Sequence, residues 1–372
     1  MSNQLKKLKK SKESTNKAIT APANIQMHSY IGDYQGCGTI RIIYPHMLLN
    51  QWRDKTNVSV CASHNSAFIN DPNFYNRLLC IQFQRAITDQ QLQMIQWFSH
   101  NLGRSTKTPI LYESDDDLLN ISKWNFAFDY YQPYLKNLPK ILGLCAGVTV
   151  STEPLKQLYS KYNKNIVVIP NHLPKAIWGN IPENKPENEK PRILWGGSAN
   201  HFSRKKGMQG GDFSIELIDF IKKTTDKYEW NFIGSMPMEL EELKDKIKAH
   251  PWQTTFGYAN FVKSLNIDIG IAPLEDNEFN KSKSNIKMLE YTAAGIASVY
   301  SDVYPYKGAK NICSTTEYMI DRIEALAANA DLRKETIQHD YELVKDNLYW
   351  EENDNLRKYV NAYLGLFKLT LP

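Results

Sequence analysis

The chain has 372 residues, which exceeds one ordinary hydrophobic core and favours two domains of about 150 to 200 residues. Its net charge of +5 is modest, and its five cysteines show neither a Cys-x-x-Cys pair nor metal-ligand spacing with the histidines, which argues against a disulfide scaffold and a structural zinc site. No apolar run of about 18 residues and no signal-peptide pattern occurs, so we expect a soluble protein of a reducing cytoplasm.

The N-terminal segment concentrates positive charge, with five lysines between residues 6 and 12 among polar residues. This composition predicts a basic, disordered tail over residues 1–24. Such a tail is suited to contact an anionic polymer or surface.

Strand and helix patterns alternate over residues 25–172, which predicts an N-terminal Rossmann-like domain. The predicted strands are 25–31, 58–61, 78–83, 109–113, 147–152 and 165–171. The predicted helices are 39–52, 88–102 and a short helix from residue 153.

A glycine-rich turn with Gly36 and Gly38 follows the first predicted strand. Glycine lets backbone approach a ligand closely, and Arg41 in the first helical turn is placed to reach a phosphate or a sugar hydroxyl. The spacing fits neither a dinucleotide fingerprint nor a Walker loop. The turn is therefore either a ligand loop or plain turn geometry.

Two polar clusters, 84–85 and 113–117, fall at the ends of predicted strands. Because ligands of open α/β sheets bind outside the carboxyl ends of the strands, both clusters are candidate site segments. Asp115 and Asp116 are our candidate catalytic residues in this half. The alternative is a solvated acidic loop or a helix cap.

Residues 173–190 combine prolines with alternating Glu, Asn and Lys, which predicts a linker. Alternation resumes over 191–345 and predicts a second Rossmann-like domain, before a C-terminal helix within 346–372. The predicted strands are 191–198, 229–233, 267–272, 296–300 and 312–313. The predicted helices are 213–225, 239–250, 258–265, 282–294, 316–345 and 351–367.

The predicted helix 282–294 places Lys283, Lys287 and Glu290 on one polar stripe beside its apolar face. A helix N-terminus presents free N–H groups and partial positive charge, so with two lysines it suits a diphosphate. Glu290, one turn deeper, is placed to accept hydrogen bonds from ribose hydroxyls. The alternative is a surface ion pair between Lys287 and Glu290.

Residues 283–299 resemble the nucleotide-sugar helix of retaining GT-B glycosyltransferases, carbohydrate-active family four and its relatives, and are most similar to versions encoded by large tailed phages. The resemblance covers roughly residues 30 to 310 and is strongest at 273–302. It implies an α/β fold of the GT-B type. Two Rossmann-like domains would face an interdomain cleft, and the C-terminal helix would cross back to the first domain.

The family's helix carries two glutamates separated by seven residues, and the resemblance implies that the second, which holds the ribose, is Glu290. The first falls on Ser282, so the carboxylate that contacts the donor sugar is missing, and Asn280, Ser282 or Glu278 is left to replace it. Lys283 and Lys287 would be the phosphate contacts and the catalytic residues.

The loop after the first strand of the second domain would also face the donor diphosphate in the family. The residues that match this loop are Gly197 and Ser198, followed by one of Arg204, Lys205 and Lys206. A solvated basic loop is the alternative for this triplet.

The resemblance implies a hexosyl- or pentosyltransferase that uses a nucleotide sugar, most often a UDP-sugar, with retention and without a covalent cofactor or a metal. A competing interpretation is the metal-binding Asp-x-Asp of GT-A glycosyltransferases at 115–117, although a second nucleotide-type unit far downstream argues against it. A phosphorylase, a sugar-nucleotide epimerase and a nucleotide-sugar-binding module without transfer activity also compete with the glycosyltransferase interpretation.

Two acceptors remain open. The phage-like resemblance and the basic tail favour a 5-hydroxymethylated pyrimidine in duplex DNA, in which case the protein would work in a host cytoplasm. The alternative is a sugar of a surface glycan.

Overall fold

The computed structural model forms two compact α/β units. It describes residues 19–20, 24–53, 57–64, 71–102, 108–182, 185–203 and 210–371. Unit 1 holds the described residues up to Asp116, together with Pro133–Pro170 and those from Asp354 onward. Unit 2 holds Asp117–Gln132 and Asn171–Asn353. The predicted tail over 1–24 lies almost entirely outside the described residues, its lysines included.

Unit 1 is built on a six-stranded parallel sheet. The six strands of this sheet are β2 (Ile25–Ile31), β3 (Val58–His64), β4 (Cys80–Gln84), β5 (Ile110–Ser114), β6 (Gly147–Val150) and β7 (Ile166–Val168). Unit 1 also contains two short strands that form a separate pair, β1 (Ile19–Thr20) and β14 (Leu369–Thr370). The sheet order is β3-β2-β4-β5-β6-β7, while β1 pairs in parallel with β14. The winding direction therefore reverses between β2 and β4, which is where ligands bind in open α/β sheets.

Unit 2 repeats this architecture with a second parallel sheet of six strands. Its strands are β8 (Arg192–Gly197), β9 (Glu229–Gly234), β10 (Lys248–His250), β11 (Ile269–Ala272), β12 (Ala297–Ser301) and β13 (Ile312–Cys313). The order β10-β9-β8-β11-β12-β13 places the reversal between β8 and β11.

Helices cover the sheets and alternate with the strands along the chain. The α-helices are α1 (Gly36–Gly38), α2 (Tyr44–Gln51), α3 (Pro72–Asn76), α4 (Asp89–Trp97), α5 (Phe128–Tyr131), α6 (Leu138–Leu144), α7 (Glu153–Tyr159), α8 (Lys175–Trp178), α9 (Ile215–Thr224), α10 (Thr255–Ser264), α11 (Glu278–Lys281), α12 (Ile286–Ala293), α13 (Thr316–Ala328), α14 (Ala330–Val344) and α15 (Asn355–Leu366). Short π-helical segments occur at Thr39–Ile43 and Phe98–Leu102. Short 3₁₀ helices occur at Gln132–Asn137, Ala199–His201, Met238–Leu243, Tyr304–Tyr306 and Lys345–Asn347. Among the described helices, none combines the length and apolar character needed to cross a lipid bilayer.

Both faces of the unit 2 sheet are buried in apolar clusters. Successive strand residues point to opposite faces, so neighbouring residues belong to different clusters. One core cluster contains Leu194, Ala272 and Tyr300, and it also includes Met288 and Leu289 of α12. Their strand neighbours Ile193, Ile271 and Val299 belong to the other cluster. The apolar stripe of α12 thus fixes this helix on the sheet beside β11 and β12.

The C-terminal helix α15 packs in unit 1, as the resemblance implied. Gln82 of β4 donates a hydrogen bond to the hydroxyl of Tyr363 at 2.6 Å. Asn165 donates another to the carbonyl of Leu366 at 3.0 Å. Since Tyr363 and Leu366 both lie on α15, the last helix of the chain completes the first unit.

The segment Asp117–Gln132 belongs to unit 2, although the predicted first domain ran without interruption to residue 172. The Trp124 indole donates a hydrogen bond to Oε2 of Glu275 at 3.0 Å. The Asn125 amide donates to the carbonyl of Asn200 at 3.0 Å. These are contacts across long sequence separations, which local patterns do not reveal.

The helix predicted over 239–250 is wrong. A short turn, Met238–Leu243, is followed by strand β10, which pairs in parallel with β9. The Glu- and Lys-rich composition favours helix, but pairing at the sheet edge overrides this propensity. The helix predicted to begin near 282 begins at Ile286, after the separate short helix α11.

Gly38 offers a test of the close packing in unit 1. A Cβ built on Gly38 would lie 1.7 Å from the carbonyl oxygen of Asp33, whereas one on Gly36 meets nothing within 4 Å. Gly38→Ala should therefore lower the free energy of unfolding by about 1 to 3 kcal/mol, the usual range for overpacking. Gly36→Ala, its matched control, should change it by less than about 1 kcal/mol. Urea denaturation with equal midpoints for both variants would contradict this packing.

Candidate functional site

The carboxyl end of β8 lies at the strand reversal of unit 2. Two glycines there allow neighbouring side chains to approach the backbone closely. A Cβ on Gly196 would lie 2.7 Å from the hydroxyl of Tyr258. One on Gly197 would lie 2.7 Å from the ring of Trp195. Neither position has room for a side chain, so Tyr258 and the loop backbone come together at this edge.

The loop after β8 turns through Ala199–His201, where the Ser198 hydroxyl accepts a hydrogen bond from the amide of Asn200 at 3.4 Å. Ser198 thus caps this turn. The turn brings His201 back against Trp195, with ring centroids 5.5 Å apart in an edge-to-face arrangement.

A buried carboxylate, Asp212, holds this loop to the segment after β11. Its Oδ2 lies 2.6 Å from Nδ1 of His201. Its Oδ1 accepts hydrogen bonds from the Asn280 amide at 2.7 Å and from the backbone N–H of Glu275 at 2.9 Å. Because the Asp212 side chain is only 1% exposed, these donors supply the interactions that water would otherwise make.

Helix α12 starts at the same edge, and Asn285 at its N-cap makes no side-chain capping hydrogen bond. Lys287 lies 2.8 Å from Oε2 of Glu290, and these side chains are 20% and 11% exposed. Burial alone would lower the pKa of Lys287, but the Glu290 carboxylate outweighs burial and raises this pKa. The pair is well sheltered from solvent, unlike an ordinary surface pair.

Lys283 precedes α12, and its ammonium group lies 4.9 Å from the ring centroid of Phe279. Within the described parts of the chain, Lys283 forms no ion pair. A partly buried ammonium beside an uncapped helix N-terminus leaves local positive charge without a balancing anion.

The charges of Lys283 and Lys287 act on His201. Burial lowers this pKa, and the positive charges of Lys283 and Lys287 lower it further, while the hydrogen bond and charge of Asp212 oppose the shift. The loop after β8 and the start of α12, which are some 80 residues apart in sequence, therefore act on one another electrostatically.

The remaining predicted donor-side residues differ in burial and pairing. Asn280 is 1% exposed, and its Oδ1 accepts no hydrogen bond from the residues that the structure describes. Ser282 is buried at 5% exposure. Glu278 is exposed and pairs with Lys281 at 3.1 Å. The basic triplet Arg204, Lys205 and Lys206 lies outside the described residues.

In unit 1, the predicted contact Arg41 is buried and paired within the unit. Its Nε donates to Glu113 at 2.7 Å, and its Nη1 donates to the carbonyl of Ile169 at 2.6 Å. Both charged side chains are at most 3% exposed. Arg41 therefore ties the turn after α1 to the ends of β5 and β7, and Gly36 and Gly38 lie just before it.

Asp115 and Asp116 lie past the end of β5, close to Arg85. The Arg85 guanidinium is 3.9 Å from Asp115 and 3.7 Å from Asp116. Burial and the charge of Asp116 raise the pKa of Asp115, while Arg85 opposes this shift. These carboxylates and Cys37 each offer an atom that could ligate a cation, all within 4.8 Å of one another.

Asp117, the third member of the predicted Asp-x-Asp alternative, does not join this cluster. Its carboxylate accepts hydrogen bonds from the amides of Leu119 at 2.9 Å and Asn120 at 3.1 Å, and from the Asn120 side chain. Asp117 thus stabilises a turn of unit 2.

Comparison with known proteins identifies the architecture. No protein-family model matches the chain, and no curated protein matches it. Among solved structures, S. aureus MnaA in its complex with UDP matches at a TM-score of 0.51 and 11% identity, over 94% of this chain and 99% of that one. A mutant O-GlcNAc transferase from Thermobaculum terrenum matches at 0.51 and 10% identity, over 94% of this chain and 70% of that one.

The chain has the GT-B fold. Its two sheets of parallel strands and its C-terminal helix in unit 1 confirm the architecture that the sequence implied.

Two residues of this GT-B chain that contact the predicted site, Asp212 and Tyr258, carry no sequence signal that would assign them to it. Asp212 precedes the N-cap of α9, so it is typical of a helix start. Tyr258 lies on α10, where an aromatic residue is typical of a core face. His201 carries a weak signal, because it follows the glycine turn by a few residues.

The electrostatic interaction between Lys283 and His201 predicts how a substitution of this lysine changes the pKa of His201. Lys283→Gln should raise the pKa of His201, because it removes a positive charge that disfavours the imidazolium form. Lys281→Gln is the matched control, since Lys281 is exposed and paired with Asp276 and Glu278. NMR titration of the His201 ring measures both. An unchanged His201 pKa in Lys283→Gln would contradict the electrostatic interaction between the two loops.

Proposed function

We propose that the protein is a nucleotide-sugar-dependent glycosyltransferase whose unit 2 binds the nucleotide of a UDP-sugar. The observation that carries this proposal is the grouping of Lys283, Lys287, Glu290 and His201 at the strand reversal between β8 and β11. Two neighbours of the same fold support it, since one is named as a UDP complex and the other as an O-GlcNAc transferase.

The diphosphate of the donor would bind Lys283 and the start of α12. Lys283 already contributes an ammonium group without an ion pair in the described residues, and the first backbone N–H groups of α12 are not capped by Asn285. Such positioned charge stabilises the negative charge that develops on a leaving diphosphate. Gly197 and Ser198 would let the backbone approach the same phosphates, with a basic residue from the triplet 204–206 beside them.

Glu290 would hold the ribose. Its Oε2 accepts from Lys287, while its Oε1 accepts no hydrogen bond from the described part of the chain. Ribose hydroxyls donate hydrogen bonds, and a carboxylate is a strong acceptor for them. Lys287 would then orient this carboxylate and add positive charge beside the diphosphate.

Transfer would proceed with retention, with the acceptor hydroxyl attacking on the face from which the diphosphate departs. The sugar would be recognised without the family's first glutamate, for which Asn280, Ser282 and Glu278 are the candidate replacements. Asp115 and Asp116 of unit 1 would act on the acceptor side, because carboxylates accept hydrogen bonds from hydroxyl groups. The chemistry would need no metal, since lysines and helix N–H groups stabilise the leaving group.

For the acceptor, we propose a 5-hydroxymethylated pyrimidine in duplex DNA. The similarity to phage-encoded glycosyltransferases and the five lysines between residues 6 and 12 support this choice. Basic segments bind DNA through its phosphates, and an enzyme that modifies a base flips it from the stack. A surface glycan is the competing acceptor.

Donor binding is predicted to depend on Lys283 and Glu290. Lys283→Ala should weaken UDP binding about tenfold or more, and Glu290→Ala should weaken it by about 1 to 3 kcal/mol, because each removes a charge-assisted hydrogen bond. The matched controls are Lys281→Ala and Glu335→Ala, which alter exposed ion pairs of the same unit. Calorimetry that gives equal UDP affinities for the site and control variants would contradict the assignment.

The acceptor is tested by transfer of a labelled sugar to duplexes with and without hydroxymethylated pyrimidines, at low salt and with EDTA present. We expect label only on the modified duplex, undiminished by EDTA. Affinity should fall with salt at a logarithmic slope of about −0.9 per neutralised phosphate. If the donor is hydrolysed but no duplex is labelled, the DNA assignment fails and glycan acceptors take its place. If manganese is required to restore transfer, metal-free chemistry is wrong.

A further inference from the structure

His201 presents its two ring nitrogens to different surroundings. Nδ1 lies 2.6 Å from Oδ2 of Asp212. Because the Asp212 carboxylate is buried and acts as an acceptor, it fixes a hydrogen on Nδ1. Nε2 is then the basic nitrogen, and it makes no hydrogen bond to any residue that the structure describes.

The free edge of the ring lies at the glycine turn after β8. A Cβ built on Gly197 would lie 3.3 Å from Cδ2 of His201, the carbon next to Nε2. The charged groups that act on this ring are Asp212, which is hydrogen-bonded to Nδ1, together with Lys283 and Lys287. Since the proposed function brings the donor diphosphate to the backbone of Gly197, the Nε2 edge of the ring would lie beside it.

We propose that His201 takes up a proton on Nε2 when a nucleoside diphosphate binds beside Lys283 and Lys287, and that it delivers this proton to the departing diphosphate. The inference rests on the proposed function and adds a catalytic residue to it. Asp212 is a positioning residue, because it acts only through His201.

The proton uptake follows from charge. Without ligand, burial and the two lysines favour the neutral imidazole, whose Nε2 carries a lone pair. A diphosphate beside this lone pair would be repelled by it, but would attract an imidazolium N–H. The ligand also offsets the positive charge of both lysines, and Asp212 stabilises the imidazolium from behind. Binding should therefore raise the pKa of His201 and draw a proton from solvent.

The transfer step forms one bond and breaks another at the anomeric carbon. A bond forms between the acceptor oxygen and this carbon, and the bond between the carbon and the diphosphate oxygen breaks, with its electron pair staying on the diphosphate. The Nε2 proton of His201 passes to the diphosphate, and the acceptor hydroxyl releases its own proton to solvent. The diphosphate leaves protonated, and His201 returns to its neutral form.

Calorimetric titration of UDP at pH 7, in two buffers with different ionisation enthalpies, measures the protons taken up. Wild type should take up more protons per UDP than His201→Gln, while protons that UDP itself exchanges contribute equally to both. His250→Gln is the matched control, because His250 lies on the edge strand β10, where its ring hydrogen-bonds to the Asn231 side chain of β9. It should behave as wild type does.

The variants should also differ in turnover. His201→Gln should lower kcat by about 100-fold or more, the usual contribution of general acid catalysis. It should also remove the alkaline limb that His201 adds to the pH profile, because activity falls at high pH as this residue loses its proton. Asp212→Asn should shift that limb, which loss of packing alone would not do. Equal proton uptake in wild type and His201→Gln would overturn this inference and leave the proposed function standing. Failure of wild type to bind UDP would overturn both.

Discussion

The buried carboxylate of Asp212 is the interaction on which the site of unit 2 depends. It joins His201, in the loop after β8, to Glu275 and Asn280, in the segment after β11. A buried carboxylate costs several kcal/mol unless it is hydrogen-bonded, so its three donors stabilise the folded arrangement of these loops. That requirement holds the two loops together at the strand reversal and sets the approach to α12.

The two units use the same edge of the same kind of sheet in different ways. In unit 1, Arg41 and Glu113 form a buried ion pair that links the turn after α1 to β5, and the guanidinium also binds the carbonyl of Ile169. In unit 2, Lys283 at the equivalent strand reversal has only an aromatic ring as a close partner among described residues. Cationic charge is thus neutralised inside unit 1 and left available in unit 2, which is why we place the nucleotide there.

The sequence predicts what local rules control. Strand β2 has the predicted bounds, and the helix that carries Glu290 ends before Gly295, whose φ of +62° favours glycine. Contacts between residues that are distant in the chain could not be predicted from local patterns. Arg41 and Glu113 are 72 positions apart, and Asp212 and Asn280 are 68 positions apart. Both pairs depend on which strands become neighbours in the sheet, and strand β10 was missed for the same reason. Lys283, Lys287 and Glu290 could be proposed as site residues because they lie close together in sequence, on or just before one helix.

A structure of the protein with UDP bound tests the central claim most directly. We expect the diphosphate within hydrogen-bond distance of Lys283 Nζ and His201 Nε2, at the start of α12, with the ribose hydroxyls on Glu290. UDP bound elsewhere, without contact to Lys283, His201 or Glu290, would contradict this claim.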